Sequence, residues 1–235
     1  MSLQEIRAAM AKCRETGQRF VSNAEVKRIL SYYGIPIVHE GVAQSVNEVK
    51  KVSESIGYPV ALKIISPDIA HKTEAQALKL NLKNSGEVEK AYSDLLAKVQ
   101  AYKHDVKVEG YLIQEMVEDG VETIVGLHND PTFGPVLMFG LGGVWVELLK
   151  DISFRVIPIE RSDAVDMVEE IKGSRLFKGF RGGSPLDTDA LYDILLSVSR
   201  LGLELKEVKE LDLNPVFLRE KGAIVADFRI LINIG

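Results

Sequence analysis

The pattern richest in chemistry lies near the end of the chain. Asp212 and Asn214 stand two apart in Leu-Asp-Leu-Asn-Pro-Val-Phe. A strand therefore puts them on one face and Leu211 and Leu213 on the other. Asp227 and Arg229 repeat the spacing beyond a turn expected near Gly222. If these segments pair as a hairpin, one face gathers two carboxylates, an amide oxygen and a guanidinium. Magnesium takes hard oxygen donors, few of them from protein and the rest from phosphate and water, and this set suits it. A solvated face with a surface ion pair worth ~0–1 kcal/mol is the competing account. Asn beside Asp ahead of a proline favours the metal.

Lys63 sits inside Val-Ala-Leu-Lys-Ile-Ile. An unpaired ammonium buried among aliphatic side chains is costly, so it needs an anionic partner, and a phosphate is one such partner. A half-exposed strand with Lys63 facing water explains the same letters. His71 follows in Ser-Pro-Asp-Ile-Ala-His-Lys-Thr-Glu, a loop directly after that strand. A neutral imidazole accepts a phosphoryl group near neutral pH once a carboxylate or carbonyl fixes its tautomer. Glu74 is near in sequence, whereas Asp212 would approach only through the fold. A loop histidine with no chemical role fits equally well by spacing alone.

Gln114-Glu115-Met116-Val117 closes an expected strand and enters the acidic turn Glu118-Asp119-Gly120. Backbone groups there can pair with a purine edge, Met116 and Val117 offer apolar faces, and Glu122 can accept from ribose hydroxyls. An ordinary turn is the alternative. Phe139-Gly-Leu-Gly-Gly-Val places three glycines between strands, which permits close backbone approach to an anion or simply a tight hairpin. It lacks the lysine and hydroxyl residue of a Walker motif. Arg155, Lys178 and Arg181 could add positive charge near phosphates, and as plain surface cations they would need no explanation.

These residues must be positioned by a chain of 235 residues, 46% hydrophobic and 27% charged, the balance of a soluble globular protein with a full core. Leu3, Ile6, Met10 and Cys13 recur at helical spacing, and Ser22 with Glu25 and Ser45 with Glu48 make capping boxes for two more helices. Val60–Ile65 and Leu78–Leu82 read as strands, followed by a helix opened by Ser85. A polar stretch, Lys103 to Gly110, then leads to strands expected at Tyr111–Val117, Thr123–His128, Pro135–Phe139, Val144–Leu149 and Ser153–Ile159. Helices are expected at about Ser162–Lys172 and Thr188–Leu205, joined by the glycine-rich Gly179 to Pro185, before the terminal hairpin. The fold class is α+β in two lobes, residues 1–109 and 110–235. Cys13 is the one cysteine, which excludes an intrachain disulfide, and its place on an apolar face favours plain packing. The formal charge of −5 argues against nucleic acid as main partner. No apolar signal core or bilayer-length run is present, so no membrane is expected and the cytoplasm is the expected location.

Taken together, Val60 to Glu74, Gly134 to Gly143, Glu210 to Val216 and Ala226 to Arg229 resemble the β subunits of ADP-forming acetyl-CoA synthetases. These belong to the ATP-grasp superfamily, as does succinyl-CoA synthetase. The resemblance covers nearly the whole chain. It implies a two-lobed ATP-grasp fold clamping ATP or ADP with Mg2+ between the lobes. Lys63 matches the phosphate-binding lysine, Gln114 to Val117 the adenine hinge, and Glu122 a nucleotide contact. Asn214 and Asp227 match the magnesium ligands, His71 the phosphorylated histidine, and Asp212 lies where it could hold that histidine. A CoA-binding α subunit is implied as partner, in an α2β2 assembly. The chain departs from many relatives at Ala75-Gln76-Ala77, where they carry a hydrophobic residue and two glycines. The implied reaction is acyl-CoA plus ADP and phosphate giving acid, CoA and ATP. A self-sufficient ligase acting through an acyl phosphate would not require His71. A non-catalytic ATP-sensing subunit would not require the oxygen-donor set.

Overall fold

The computed structural model describes residues 2–69, 76–143, 151–179 and 183–234. His71, Glu74, Arg181 and the expected strand 144–149 lie outside them. Helix α1 (Leu3–Glu15) opens on a complete capping box, Ser2 with Glu5, and Ser22 accepts from the Glu25 amide at the start of α2 (Asn23–Tyr32). The helices bury Ile6 and Met10, and Val26, Ile29 and Leu30. Cys13 packs, partly buried, against the same core. Gly34, at φ +72°, takes the left-handed turn after α2 that a β-carbon would oppose.

The chain divides into two compact units, Val38–Glu118 and Met1–Ile37 with Asp119–Gly235. The first holds β1 (Glu40–Ala43), α3 (Val46–Ile56), β2 (Val60–Ile65), β3 (Leu78–Leu82), α4 (Ser85–Tyr102) and β4 (Gly110–Glu115). Its strands form an antiparallel sheet in the order β1-β4-β2-β3. The alternation in β2 sends Val60, Leu62 and Ile64 into a core with Ile113 and Tyr111 of β4, Val49 of α3 and Leu95 of α4. Ala61 and Lys63 therefore point to the face away from that core.

The second unit adds β5 (Val121–Asp130), β6 (Gly134–Leu141), β7 (Ile152–Val156), α5 (Arg161–Glu170), α6 (Thr188–Glu204), β8 (Val208–Leu218), β9 (Ala223–Val225) and β10 (Phe228–Ile232). A 3-10 helix, Lys172–Lys178, follows α5. The sheet order is β10-β8-β5-β6-β7, with β9 also paired to β8. One face carries Leu211, Leu213, Val125, Leu127, Leu137 and Phe139 into the core formed with the helices. The odd and even positions of each strand thus separate a packed face from an open one.

The compact units divide the chain elsewhere than the expected boundary after residue 109. Main-chain bonds tie the N-terminal segment to the C-terminal strands: Val21 N donates to Ile230 O at 3.1 Å, Ile232 N to Arg19 O at 2.9 Å and Val225 N to Pro36 O at 2.9 Å. Strand β4 lies between β1 and β2, so a cut at 109 would remove the centre of the smaller sheet. The polar stretch 103–110 is the connection from α4 to β4. Strand β1, which the sequence reading left without an element, is an edge strand only four residues long. None of the described helices is long and apolar enough to cross a membrane.

Candidate functional site

The terminal hairpin forms with the expected alternation. Asp212 faces Arg229 across β8 and β10, and Leu213 faces Phe228. Asn214 N donates to Asp227 O at 3.0 Å and Ala226 N to Pro215 O at 3.0 Å, so the break between β9 and β10 stands opposite Asn214-Pro215. On the other side of β8, Thr123 pairs with Val216 but Val125 with Leu213, so the strand bulges at the same place. A bulge re-aims side chains while the flanking strand keeps its core face. Here it leaves Asn214 and Asp227 exposed beside one another in the ladder, with Asp212 one pleat away and half-buried.

Burial pushes the Asp212 carboxyl up from its ordinary value; the Arg229 guanidinium, 3.9 Å away, opposes this, while Glu210 and Asp227 add to it. Arg229 also pairs with Glu210 at 3.3 Å and lies over the Phe20 ring at 5.7 Å from its centroid. The guanidinium thereby lies between two carboxylates of β8, those of Glu210 and Asp212. Asp227 Oδ1 accepts from the Phe228 amide at 2.9 Å. An amide oxygen and a carboxylate on exposed, adjacent backbone are the donor chemistry magnesium uses when phosphate and water complete its shell. The residues present fit the ion.

Next to this row, Gly126 faces Asp212 from β5 and Met138 from β6. A cavity of about 530 Å³ opens above them, bounded also by His128, Phe133 and Phe154. A β-carbon at Gly126 would come within 3.2 Å of Met138 Cε, so glycine keeps the cavity floor clear. At the other end of β5, Glu122 meets the glycine run. Gly142 N donates to Glu122 O at 2.7 Å, and a β-carbon on Gly143, at φ +61°, would sit 2.9 Å from Glu122 Oε2. The glycines are required for this close approach, which joins two motifs that the sequence presents separately.

In the smaller unit, Lys63 stands opposite Leu112, and Ala61 opposite Gln114, on the face away from the helices. Gln114 is buried and its Nε2 donates to Glu40 Oε2 at 2.5 Å, so its side chain is directed to β1. Glu115 carries three bonds to His39: its amide donates to His39 O at 2.8 Å, and its Oε2 takes the His39 amide at 3.0 Å and lies 2.8 Å from His39 Nδ1. Met116 N donates to Pro59 O at 3.2 Å, and Met116 and Val117 are partly exposed. The segment 115–117 is thus a held strand end.

Two cations left open between phosphate and plain surface roles are paired with carboxylates of α5. Arg155 alternates toward the helix side of β7, where it pairs with Glu170 at 2.8 Å, and Lys178 pairs with Glu169 at 3.1 Å. Both are spent on α5. A residue the sequence reading overlooked is Asp68, which accepts from the Lys107 amide at 2.8 Å and from Lys103 Nζ. Lys103 and then Lys107 hold its carboxyl below the usual carboxylate range. Because the folded value lies below the unfolded one, the tie is fully present above about pH 4 and is lost as pH falls through the folded value. The protection factor of the Lys107 amide, its exchange corrected for the intrinsic pH dependence, is expected to fall on acidification in the wild type, and to be low at neutral pH in Asp68→Ala. Equal protection in both proteins would exclude the tie.

A model of the ATP-grasp domain matches residues 12–232. The chain belongs to the ATP-grasp family. It is 46% identical over 208 residues to the β subunit of acetate–CoA ligase (ADP-forming) I of Pyrococcus furiosus, covering 88% of this chain and 90% of that one. It is 47% identical over 222 residues to acetate–CoA ligase (ADP-forming) I of Archaeoglobus fulgidus, covering 94% of this chain but 32% of that protein. The ATP-grasp chain therefore spans about a third of the longer relative. Among solved structures it resembles the acetyl-coenzyme A synthetase 1 of Candidatus Korarchaeum cryptofilum in complex with coenzyme A, Ca-AMPCP and HgCl+. That likeness has a TM-score of 0.90 at 43% identity and covers 97% of this chain and 99% of that one. A second structure of that enzyme holds coenzyme A and Mg-AMPPCP with a phosphohistidine segment pointing towards the nucleotide site. It matches at TM-score 0.84 and 41% identity, over 97% of this chain and 100% of that one.

Proposed function

We propose that this ATP-grasp chain is the nucleotide-binding β subunit of an ADP-forming acyl-CoA synthetase. In this reading His71 carries a phosphoryl group to ADP within the reversible reaction acyl-CoA + ADP + phosphate = acid + CoA + ATP. The observation that carries this reading is the row Asp212, Asn214 and Asp227 on the open face of the larger sheet, in a chain that covers nearly the whole of a β-subunit relative. Lys63 binds phosphate oxygens as a compact charge with three donors. Residues Gln114 to Val117 present backbone and apolar surface to the purine, and Glu122 accepts from the ribose. Asn214 and Asp227 would hold Mg2+, which when bound supplies charge neutralisation at the terminal phosphates.

Asp212 acts on the carrier. By accepting the N–H of the His71 imidazole it keeps the opposite ring nitrogen unprotonated and directed at phosphorus. In the forward step an oxygen of the β-phosphate of ADP attacks phosphorus, the P–N bond breaks, and the imidazole leaves neutral. Lys63 offsets the charge on the oxygens between which phosphorus moves.

The partner is a CoA-binding α subunit that forms the acyl phosphate, in an α2β2 assembly in the cytoplasm. The naming of relatives as β subunits supports the need for a partner. The purified chain is expected to bind Mg-ADP and Mg-ATP by calorimetry but to show no acyl-CoA turnover until that subunit is added. Acid-dependent CoA consumption by the chain alone would sink this reading.

A further inference from the structure

Glu115 is held more firmly than its place at the end of a strand requires. Its amide is bonded to the carbonyl of His39, and its Oε2 takes both the amide and the Nδ1 of the same residue. Facing a carboxylate, Nδ1 is the donor. The main chain and the side chain of Glu115 are thus fixed by one residue, and the next amide, that of Met116, is tied to Pro59. Three consecutive groups at the end of β4 are set before any ligand arrives. The pair contributes little to folding, because the His39 side chain is 82% exposed and exposed ion pairs are weak. Its consequence lies in preorganisation: a segment already in its bound geometry loses less freedom when a ring docks on it.

We infer that His39 is a positioning residue for nucleotide-base recognition, acting through Glu115 on the segment 115–117. This rests on the proposal that residues 114–117 receive the base. No part of the triphosphate chain is involved, so the effect belongs to the base and not to the phosphates. His39→Ala removes the Nδ1 donor and keeps both main-chain bonds. His39→Asn returns a side-chain donor at the position of Nδ1.

The test is calorimetric titration of the chain with Mg-ADP and, as a base-free reference, Mg-pyrophosphate. His39→Ala is expected to weaken ADP roughly three- to tenfold, leave pyrophosphate and the melting temperature unchanged, and be rescued by His39→Asn. In a Glu115→Ala background the substitution at His39 is expected to have no further effect, as a double-mutant cycle requires of a residue acting through another. Equal weakening of both ligands would overturn the inference, as would ADP binding unaffected by His39→Ala. Hydrogen exchange of the wild type with and without Mg-ADP separates the two levels. Protection at 115–117 with an unaffected His39→Ala removes only the role of His39. No protection there removes the base site itself, and the inference with it.

Discussion

His71→Ala is expected to abolish ATP formation while leaving Mg-ADP affinity near that of the wild type. The separation follows from the division of labour proposed above. In that proposal Lys63, Glu122, Asn214, Asp227 and the segment 114–117 handle the nucleotide, and none of them depends on the imidazole of His71. Transfer, by contrast, has no route without a nucleophile that can hold phosphorus between two sites, and no other residue of the proposed site offers a neutral nitrogen of suitable pKa. Loss of an obligatory covalent carrier removes the reaction path itself, so the expected drop is several orders of magnitude. Incubation with γ-labelled ATP and magnesium, followed by a search for acid-labile, base-stable label, reads the carrier directly. A melting curve controls for folding. Label that persists in His71→Ala, or normal ATP synthesis by the variant with its partner, would leave a ligase that transfers phosphoryl without a histidine.

Asp227 gives the second large effect. In Asp227→Ala, affinity for ADP in the presence of magnesium is expected to fall by at least about tenfold, with the metal-free affinity unchanged. The carboxylate is exposed and stands beside Asn214 at the break in the hairpin, and the proposed role is to hold a cation against phosphate. Asp227 also accepts its neighbour's amide, so Asp227→Asn serves as the shape-preserving comparison. It keeps an oxygen acceptor and lacks the charge. Titrations with magnesium and with a chelator decide the matter. Equal weakening under both conditions would assign Asp227 to the architecture of the hairpin and not to the metal.

Much of the placement of the proposed site residues was readable because strand parity is local. Asp212 and Asn214 had to share a face once Leu211 and Leu213 claimed the core, and Lys63 had to oppose the buried Val60, Leu62 and Ile64. The capping boxes at Ser22 and Ser45 likewise predicted where α2 and α3 begin. Arg155 shows what spacing left open between a cation near phosphate and a plain surface cation. Its charge suggested phosphate, but its position in β7 turns it toward Glu170 of α5, a residue 15 positions away. The compact units differ from the expected division at 109 for the same kind of reason. Composition changes along the chain at 103–110, whereas membership of a unit is set by hydrogen bonds between residues some 200 positions apart, such as Val21 with Ile230.

The sequence by itself determined which face of each strand the proposed site residues occupy and where helices begin, because side-chain alternation and capping depend only on neighbours within a few residues. Tertiary structure decided the rest. It placed the bulge of β8 opposite the break between β9 and β10, brought Glu122 against Gly142 and Gly143, and joined His39 to Glu115. Each of these depends on strand register between distant segments, and register is fixed only when whole apolar faces are buried together.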